Sequence, residues 1–211
     1  MSARRHALVW LAALALACGR EKTQPAPYHA EHAEHTEHTH RDLAGGAPAE
    51  LSLYQLAGRW TKPDGATLEL AELRGKPVLL LLFYGTCDYA CPLLVHDLER
   101  VAELLPSDAG VRFVLVTFDP ERDTPARLAA YARQHELDPL SWTLLHGDPE
   151  QVRELAAATG VRYRPTGTGQ FSHTMRILLL DREGVVVEHW DGLERPVEPI
   201  AARAAALARQ P

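Results

Sequence analysis

Long apolar stretches alternate with amphipathic ones from residue 78 onward. Val78 to Tyr84 are all apolar, and the stretch from Val111 to Phe118 is interrupted only by Arg112 and Thr117. Such short, almost wholly apolar runs are typical of strands that are buried on both faces. Shorter strands are predicted at 67–70, 142–145, 175–180 and 185–190, the last two flanking the turn Asp181-Arg182-Glu183-Gly184.

Helical patterns fill the segments between these strands. Leu93 to Leu105 has helical periodicity, with Pro92 expected at the first helical position. Asp123-Thr124-Pro125 and Asp148-Pro149-Glu150 each combine a capping side chain with a proline, which marks the start of a helix. The predicted helices cover about 93–105, 125–135, 149–160 and 196–209. This alternation predicts an α/β fold in which helices flank a central sheet.

The first fifty residues have a different composition. Residues 1–17 resemble an export signal, because Arg4 and Arg5 precede a short apolar run that ends in small residues. The stretch Leu14-Ala15-Leu16-Ala17-Cys18 resembles a lipobox, in which Cys18 becomes the lipidated N-terminus. We therefore expect an exported lipoprotein that is anchored in a membrane and faces the periplasm; ordinary secretion without use of Cys18 is the alternative.

Residues 18–50 are expected to form a disordered tether to a domain at 51–211, since this segment is rich in proline, glycine and charge. The tether contains a histidine-rich stretch with glutamates between the imidazoles, a composition that favours metal capture. A solvated linker without metal is the alternative. The histidines concerned are His29, His32, His35, His38 and His40.

Charge and cysteine content narrow the possible functions. The formal net charge is -6, which argues against nucleic acid as a partner. If Cys18 carries lipid, only Cys87 and Cys91 remain in the folded part. In an oxidising compartment two nearby cysteines are a structural disulfide, a redox pair or metal ligands.

The segment Cys87-Asp88-Tyr89-Ala90-Cys91-Pro92 follows the first buried strand and leads into a helix. A spacing of i, i+4 brings two side chains together across one helical turn. The helix N-terminus stabilises negative charge and so favours thiolates. Two thiolates suit Cu(I), and an added imidazole would allow Cu(II) as well.

Four stretches resemble the signatures of the Sco/SenC family, over roughly residues 58–205. They are Phe83–Pro92, Val116–Pro125, Leu145–Gln151, and Phe171–Thr174 followed by a strand and Asp181–Gly184. The resemblance implies a thioredoxin-like fold with a central mixed β-sheet and a copper site formed by Cys87, Cys91 and His173. It also places Asp119 at an acidic position of the family near the metal loop.

The resemblance implies a metallochaperone that carries Cu(I) or Cu(II). Its expected partner is the copper subunit of a respiratory cytochrome c oxidase, at the binuclear copper centre, or another copper protein. Such delivery needs no turnover, so we expect a carrier rather than an enzyme. The alternative is a thiol–disulfide oxidoreductase that uses Cys87 and Cys91 to keep a partner's copper-ligand cysteines reduced.

Two residues depart from the family pattern. Asp88 replaces the common proline after the first cysteine, and Ser172 replaces the common aspartate before the histidine. Neither change removes a ligand, although a charge at Asp88 is expected to raise the pKa of the neighbouring thiol. Gly167 and Gly169 predict that His173 lies on a mobile loop. The remaining histidines of the domain, His96, His135, His146 and His189, are expected on the surface or in loops.

Overall fold

The computed structural model describes residues 43–106 and 108–210. The strands are β1 Trp60–Thr61, β2 Thr67–Leu68, β3 Val78–Phe83, β4 Arg112–Thr117, β5 Trp142–Leu145, β6 Tyr163–Pro165, β7 Phe171–His173, β8 Arg176–Leu180 and β9 Val186–Asp191. The helices are α1 Ala90–Leu104, α2 Pro125–Gln134, α3 Pro149–Thr159 and α4 Glu198–Ala208. Two short 3₁₀ turns cover Leu53–Gln55 and Leu70–Leu73.

The central sheet has five strands in the order β5-β4-β3-β8-β9. Strand β3 is parallel to β4 and antiparallel to β8, so the sheet is mixed, as predicted. All the residues of β3 and β8 are buried. Since successive side chains point to opposite faces, complete burial shows that both faces of these strands are covered. The apolar runs therefore form the middle of the core.

The helix starts follow the local sequence signals. Asp148 accepts hydrogen bonds from the backbone of Glu150 and Gln151 and completes a capping box, and α3 ends at the left-handed Gly160. Helix α1 begins at Ala90, earlier than the sequence suggested, so Pro92 is its third residue rather than its first. Cys91 therefore lies in the first turn of α1.

The packed part of the chain begins upstream of the expected boundary at Leu51. The backbone N–H of Gly46 donates to Gly160 O at 2.8 Å, and that of Ala49 donates to Ala158 O at 2.7 Å. Buried Arg176 donates to Gly46 O at 2.7 Å while it pairs with Asp191. Residues 43–50, which the composition assigned to the tether, thus pack on the domain.

Within residues 43–106 and 108–210, none of the helices has the length and apolar character needed to cross a membrane.

Candidate metal centre

The two cysteines lie where β3 meets α1. Cys87 is 8% exposed and Cys91 is 1% exposed, and both are free thiols. The backbone N–H of Cys91 donates to the Cys87 sulfur at 3.3 Å. This N–H belongs to the first turn of a helix, where backbone donors lack intrahelical partners. The start of α1 thus stabilises negative charge on Cys87.

His173 reaches the cysteines from a short hairpin. It is the last residue of β7 and pairs with Tyr163 of β6. Its ring is 1% exposed and lies against the rings of Phe118 and Tyr84, at centroid distances of 5.2 and 5.8 Å. The prediction of a mobile loop is wrong for this residue, because strand pairing and aromatic packing hold it in place.

The hydrogen bond of His173 determines which nitrogen can bind a metal. Nδ1 lies 3.0 Å from the carbonyl oxygen of Thr174. A carbonyl oxygen only accepts, so Nδ1 carries the proton and Nε2 carries the free lone pair. Nε2 lies 3.8 Å from the Cys91 sulfur. The imidazole therefore presents its free lone pair to the cysteine pair.

The three side chains form one compact donor set. One candidate ligand atom from each of Cys87, Cys91 and His173 lies within 4.8 Å of the other two. Typical metal–sulfur and metal–imidazole bonds are about 2.3 and 2.0 Å. An ion at the centre of this triangle would need only small movements of the three atoms. Two sulfurs and one nitrogen are a soft donor set that suits copper.

The two thiols differ in acidity. The hydrogen bond with Cys91 lowers the pKa of Cys87 to about 3, against the effect of burial. Burial raises the pKa of Cys91. The Cys87 pKa is thus lowered, whereas the charge of Asp88 alone was expected to raise it. At neutral pH the pair thus holds one proton, which a metal ion would displace from Cys91.

Asp123 stabilises the segment between β3 and Cys87 through hydrogen bonds. This buried carboxylate accepts from the backbone N–H of Gly85 at 2.8 Å and from the Thr117 hydroxyl at 2.6 Å. A Cβ atom on Gly85 would come within 2.8 Å of the carboxylate. The sequence suggested only a helix start at Asp123-Thr124-Pro125, where Thr124 provides the cap. The role of Asp123 depends on a contact between distant segments, which no local signal reports.

Tyr84 and Gln170 join the histidine hairpin to the cysteine loop. The Tyr84 hydroxyl donates to Gln170 Oε1 at 2.7 Å and accepts from the N–H of Phe171 at 3.3 Å. The Gln170 amide donates to Thr86 O at 3.3 Å. These hydrogen bonds, which the sequence did not suggest, therefore fix the position of the histidine ligand relative to the two cysteines.

Asp119 acts on the same hairpin through Arg122. The buried carboxylate pairs with Arg122, whose guanidinium donates to Gly169 O at 2.5 Å. Burial raises the pKa of Asp119. Asp119 therefore lies beside the site, as the motif suggested, but is outside the cluster of three metal-binding side chains.

The other predicted residues are outside this cluster. His96 is exposed, as expected, whereas His135 and His146 are half-buried and have partners. His146 donates through Nε2 to Pro120 O at 3.2 Å. Cys18 and the five histidines of the predicted tether lie outside the described residues.

Comparison with known proteins identifies the family. The sequence profile of the SCO1/SenC family matches residues 53–209. The chain belongs to the SCO1/SenC family. The SCO1 protein homolog of Bacillus subtilis is 26% identical over 135 residues, covering 62% of this chain and 70% of that protein. The motif-based assignment to this family is confirmed.

Two solved structures of the family are similar to this SCO1/SenC chain. Copper-bound ScoI of Bradyrhizobium japonicum is 28% identical, with a TM-score of 0.61 over 78% of this chain and 99% of that one. A SCO1/SenC family lipoprotein of Bacillus anthracis is 23% identical, with a TM-score of 0.68 over 79% of this chain and 100% of that one. The thioredoxin-like fold predicted for this chain is confirmed.

Proposed function

We propose that Cys87, Cys91 and His173 bind one copper ion and that this protein is a copper metallochaperone. The observation that carries the proposal is the convergence of two thiols and a correctly protonated imidazole at one buried point. Copper is favoured over harder ions by the sulfur ligands. The copper-bound state of the relative ScoI supports the same assignment.

The proposed recipient is the binuclear copper centre of a respiratory cytochrome c oxidase, on its copper subunit. The family resemblance supports this recipient, and the surface around the site suits a protein partner. Tyr89 and Leu93 are exposed to 54% and 37% beside the two cysteines. Exposed apolar side chains next to a nearly buried ligand favour direct contact with a second protein, in which copper passes from one set of ligands to another.

A thiol–disulfide reductase is the second candidate. The lowered pKa of Cys87 favours it, because thiolates are the nucleophiles of disulfide exchange. The packing at Cys91 favours the carrier instead. His173, rather than a proline, lies against this thiol, and Pro165 is exposed on β6. A reductase needs access for a partner disulfide, whereas the imidazole beside Cys91 provides a third metal ligand.

A transfer assay separates the two functions. We expect copper-loaded protein to pass about one equivalent of copper to the reduced, copper-free domain of an oxidase copper subunit, measured by copper analysis of both proteins after separation. In a second arm the copper-free dithiol protein is mixed with the oxidised acceptor, and there the reductase predicts that the Cys87–Cys91 dithiol becomes a disulfide while the acceptor disulfide becomes a dithiol. Thiol counting on both proteins after separation measures that exchange.

The carrier proposal fails if copper stays on the donor while the acceptor disulfide is reduced by the copper-free protein. The matched control is His146→Asn, which removes an imidazole that is outside the cluster of three metal-binding side chains. This variant should transfer copper like the unmodified protein.

We also propose that lipid on Cys18 anchors the protein in a membrane with its copper site in the periplasm. The lipobox-like sequence supports this location. A lipoprotein among the structurally similar members of the family agrees with it.

The tether histidines are proposed to recruit additional metal. We expect the full chain to bind extra copper, zinc or nickel more weakly than the Cys/Cys/His site, and to release it as the pH falls through about 6.5, where imidazoles gain protons. Metal analysis after equilibrium dialysis measures the difference between this chain and one with all five histidines replaced by asparagine. Equal metal content in the two chains would show that the stretch is only a spacer.

A further inference from the structure

A second group of potential metal ligands lies on the outer side of α1. The carboxylate of Glu99 contacts two imidazoles, one through each oxygen. His96 Nδ1 lies 3.4 Å from Oε2, and His135 Nδ1 lies 3.6 Å from Oε1. None of these three residues takes part in the proposed copper site.

Two helices bring the three side chains together. His96 and Glu99 are three residues apart on α1, a spacing that places both on one face of the helix. His135 is the C-terminal cap of α2. Its ring stacks on Tyr131 with a centroid distance of 4.3 Å, which fixes the orientation of the imidazole. One ligand is therefore held by aromatic packing before any ion arrives.

The exposure of the side chains allows an ion to enter. The side chains of His135 and Glu99 are 22% and 30% exposed, whereas that of His96 is 65% exposed. The more exposed imidazole is free to rotate toward an ion held by the two more buried ligands. The nitrogen–oxygen separations of 3.4 and 3.6 Å are close to those between neighbouring ligands with metal bonds of about 2.0–2.2 Å. Among the described residues only Cys87, Cys91 and His173 already bring three ligand atoms together, so His96 would have to rotate to bring its imidazole toward that of His135.

We propose that His96, Glu99 and His135 form a surface site for a divalent ion of the zinc or copper(II) class. Two imidazoles and a carboxylate are nitrogen and oxygen donors, which suit these ions and not Cu(I). Three protein ligands leave a fourth position for water. The site is thus chemically distinct from the sulfur-rich centre at Cys87 and Cys91.

The metal site and a simple ion pair require different protonation of the imidazoles. In the ion pair each ring is an imidazolium with a proton on both nitrogens, and Nδ1 faces Glu99, at hydrogen-bond distance for His96 and at a longer charge contact for His135. In the metal site each Nδ1 uses its lone pair to bind the ion, and Nε2 carries the ring proton. Metal binding therefore releases the Nδ1 proton of both rings and leaves the proton on Nε2, which is a signature that nitrogen NMR detects.

The test is a Zn²⁺ titration of the full chain against a competing chelator. The background variant carries Cys87→Ser and Cys91→Ser, with asparagine at the five tether histidines, so that the stronger sites are absent. We expect one equivalent of Zn²⁺ to bind. Adding His135→Asn or His96→Asn should weaken binding at least about tenfold, since even the loss of an indirect partner of a metal ligand costs that much.

His189→Asn in the same background is the matched control. His189 also lies near a carboxylate, with Nε2 at 4.0 Å from Asp191, and this pair has a single imidazole. The control should bind Zn²⁺ unchanged. Equal affinity in the His96, His135 and His189 variants would overturn the proposal, as would a background protein that is folded by circular dichroism but binds no Zn²⁺.

Nitrogen NMR on the otherwise unmodified chain provides an independent measurement. After the Cys/Cys/His site is filled with Cu(I), added Zn²⁺ should remove the Nδ1 proton of His96 and His135 and leave the proton on Nε2. If both rings keep the proton on Nδ1 at saturating Zn²⁺, the cluster is an ion pair and the metal site is disproved. This result would leave the copper proposal untouched, because it concerns different ligands.

Discussion

Replacing Cys87 with serine is expected to abolish tight copper binding by the domain. A hydroxyl is a harder and much weaker ligand for Cu(I) than a thiolate, and the remaining thiol and imidazole cannot complete the site. Copper affinity should fall at least about a hundredfold, equivalent to roughly 2.7 kcal/mol. Cys91→Ser should have the same effect. Titration with Cu(I) in competition with a chromogenic chelator measures the loss.

The control for this pair is Cys18→Ser in the full chain, which replaces the third cysteine, the one proposed to carry lipid. Copper affinity at the main site should not change in this variant. Because Cys91 is 1% exposed, thermal unfolding of each variant must show that the domain is still folded. Unchanged tight binding in a folded Cys87→Ser protein would rule out the proposed ligand set.

His173→Ala is expected to separate the two oxidation states of copper. Cu(II) prefers nitrogen in addition to sulfur, whereas two thiolates alone can hold Cu(I). The variant should lose Cu(II) binding by at least about a hundredfold, roughly 2.7 kcal/mol, together with the thiolate-to-Cu(II) absorption band. Cu(I) affinity should decrease by about tenfold or less, roughly 1.4 kcal/mol. Parallel titrations with the two ions measure both effects.

The packing around His173 strengthens this expectation. Its ring is held by Phe118, Tyr84 and the carbonyl of Thr174, so Nε2 is positioned before metal arrives. His173→Gln is a useful companion because it fills more of the buried space than alanine does. If the unmodified protein forms no stable Cu(II) complex and only oxidises to a disulfide, the reductase becomes the better proposal.

The core strands and most helix starts could be predicted from local sequence. Strands β3 and β8 lie in the centre of the sheet and are buried on both faces. The apolar run at 78–84 and the stretch at 175–180, which is apolar except for Arg176, identify them directly. The start of α3 depends on contacts within four residues of Asp148. Short hairpins were missed, since β6 and β7 have only three residues each and no clear alternation.

The cysteine pair was also predictable, because its geometry is local. Cys87 and Cys91 are four residues apart, and the turn into α1 brings them together. The assignment of His173 as their partner came from the resemblance to a family and not from spacing. Cys91 and His173 are 82 residues apart in sequence, a separation over which periodicity contains no information about distance.

By itself, the sequence determined the central strands, most of the helix starts, the cysteine pair and the family to which the chain belongs. Each depends on residues that are close in sequence or on a recognisable motif. Only the tertiary structure decided that His173 is buried on a strand with Nε2 toward Cys91, and that Asp123 supports Gly85. Only the tertiary structure showed that Glu99 of α1 contacts His135 of α2. These contacts arise when packing of the sheet and helices brings distant segments together. Local sequence patterns contain no information about which distant segments will meet.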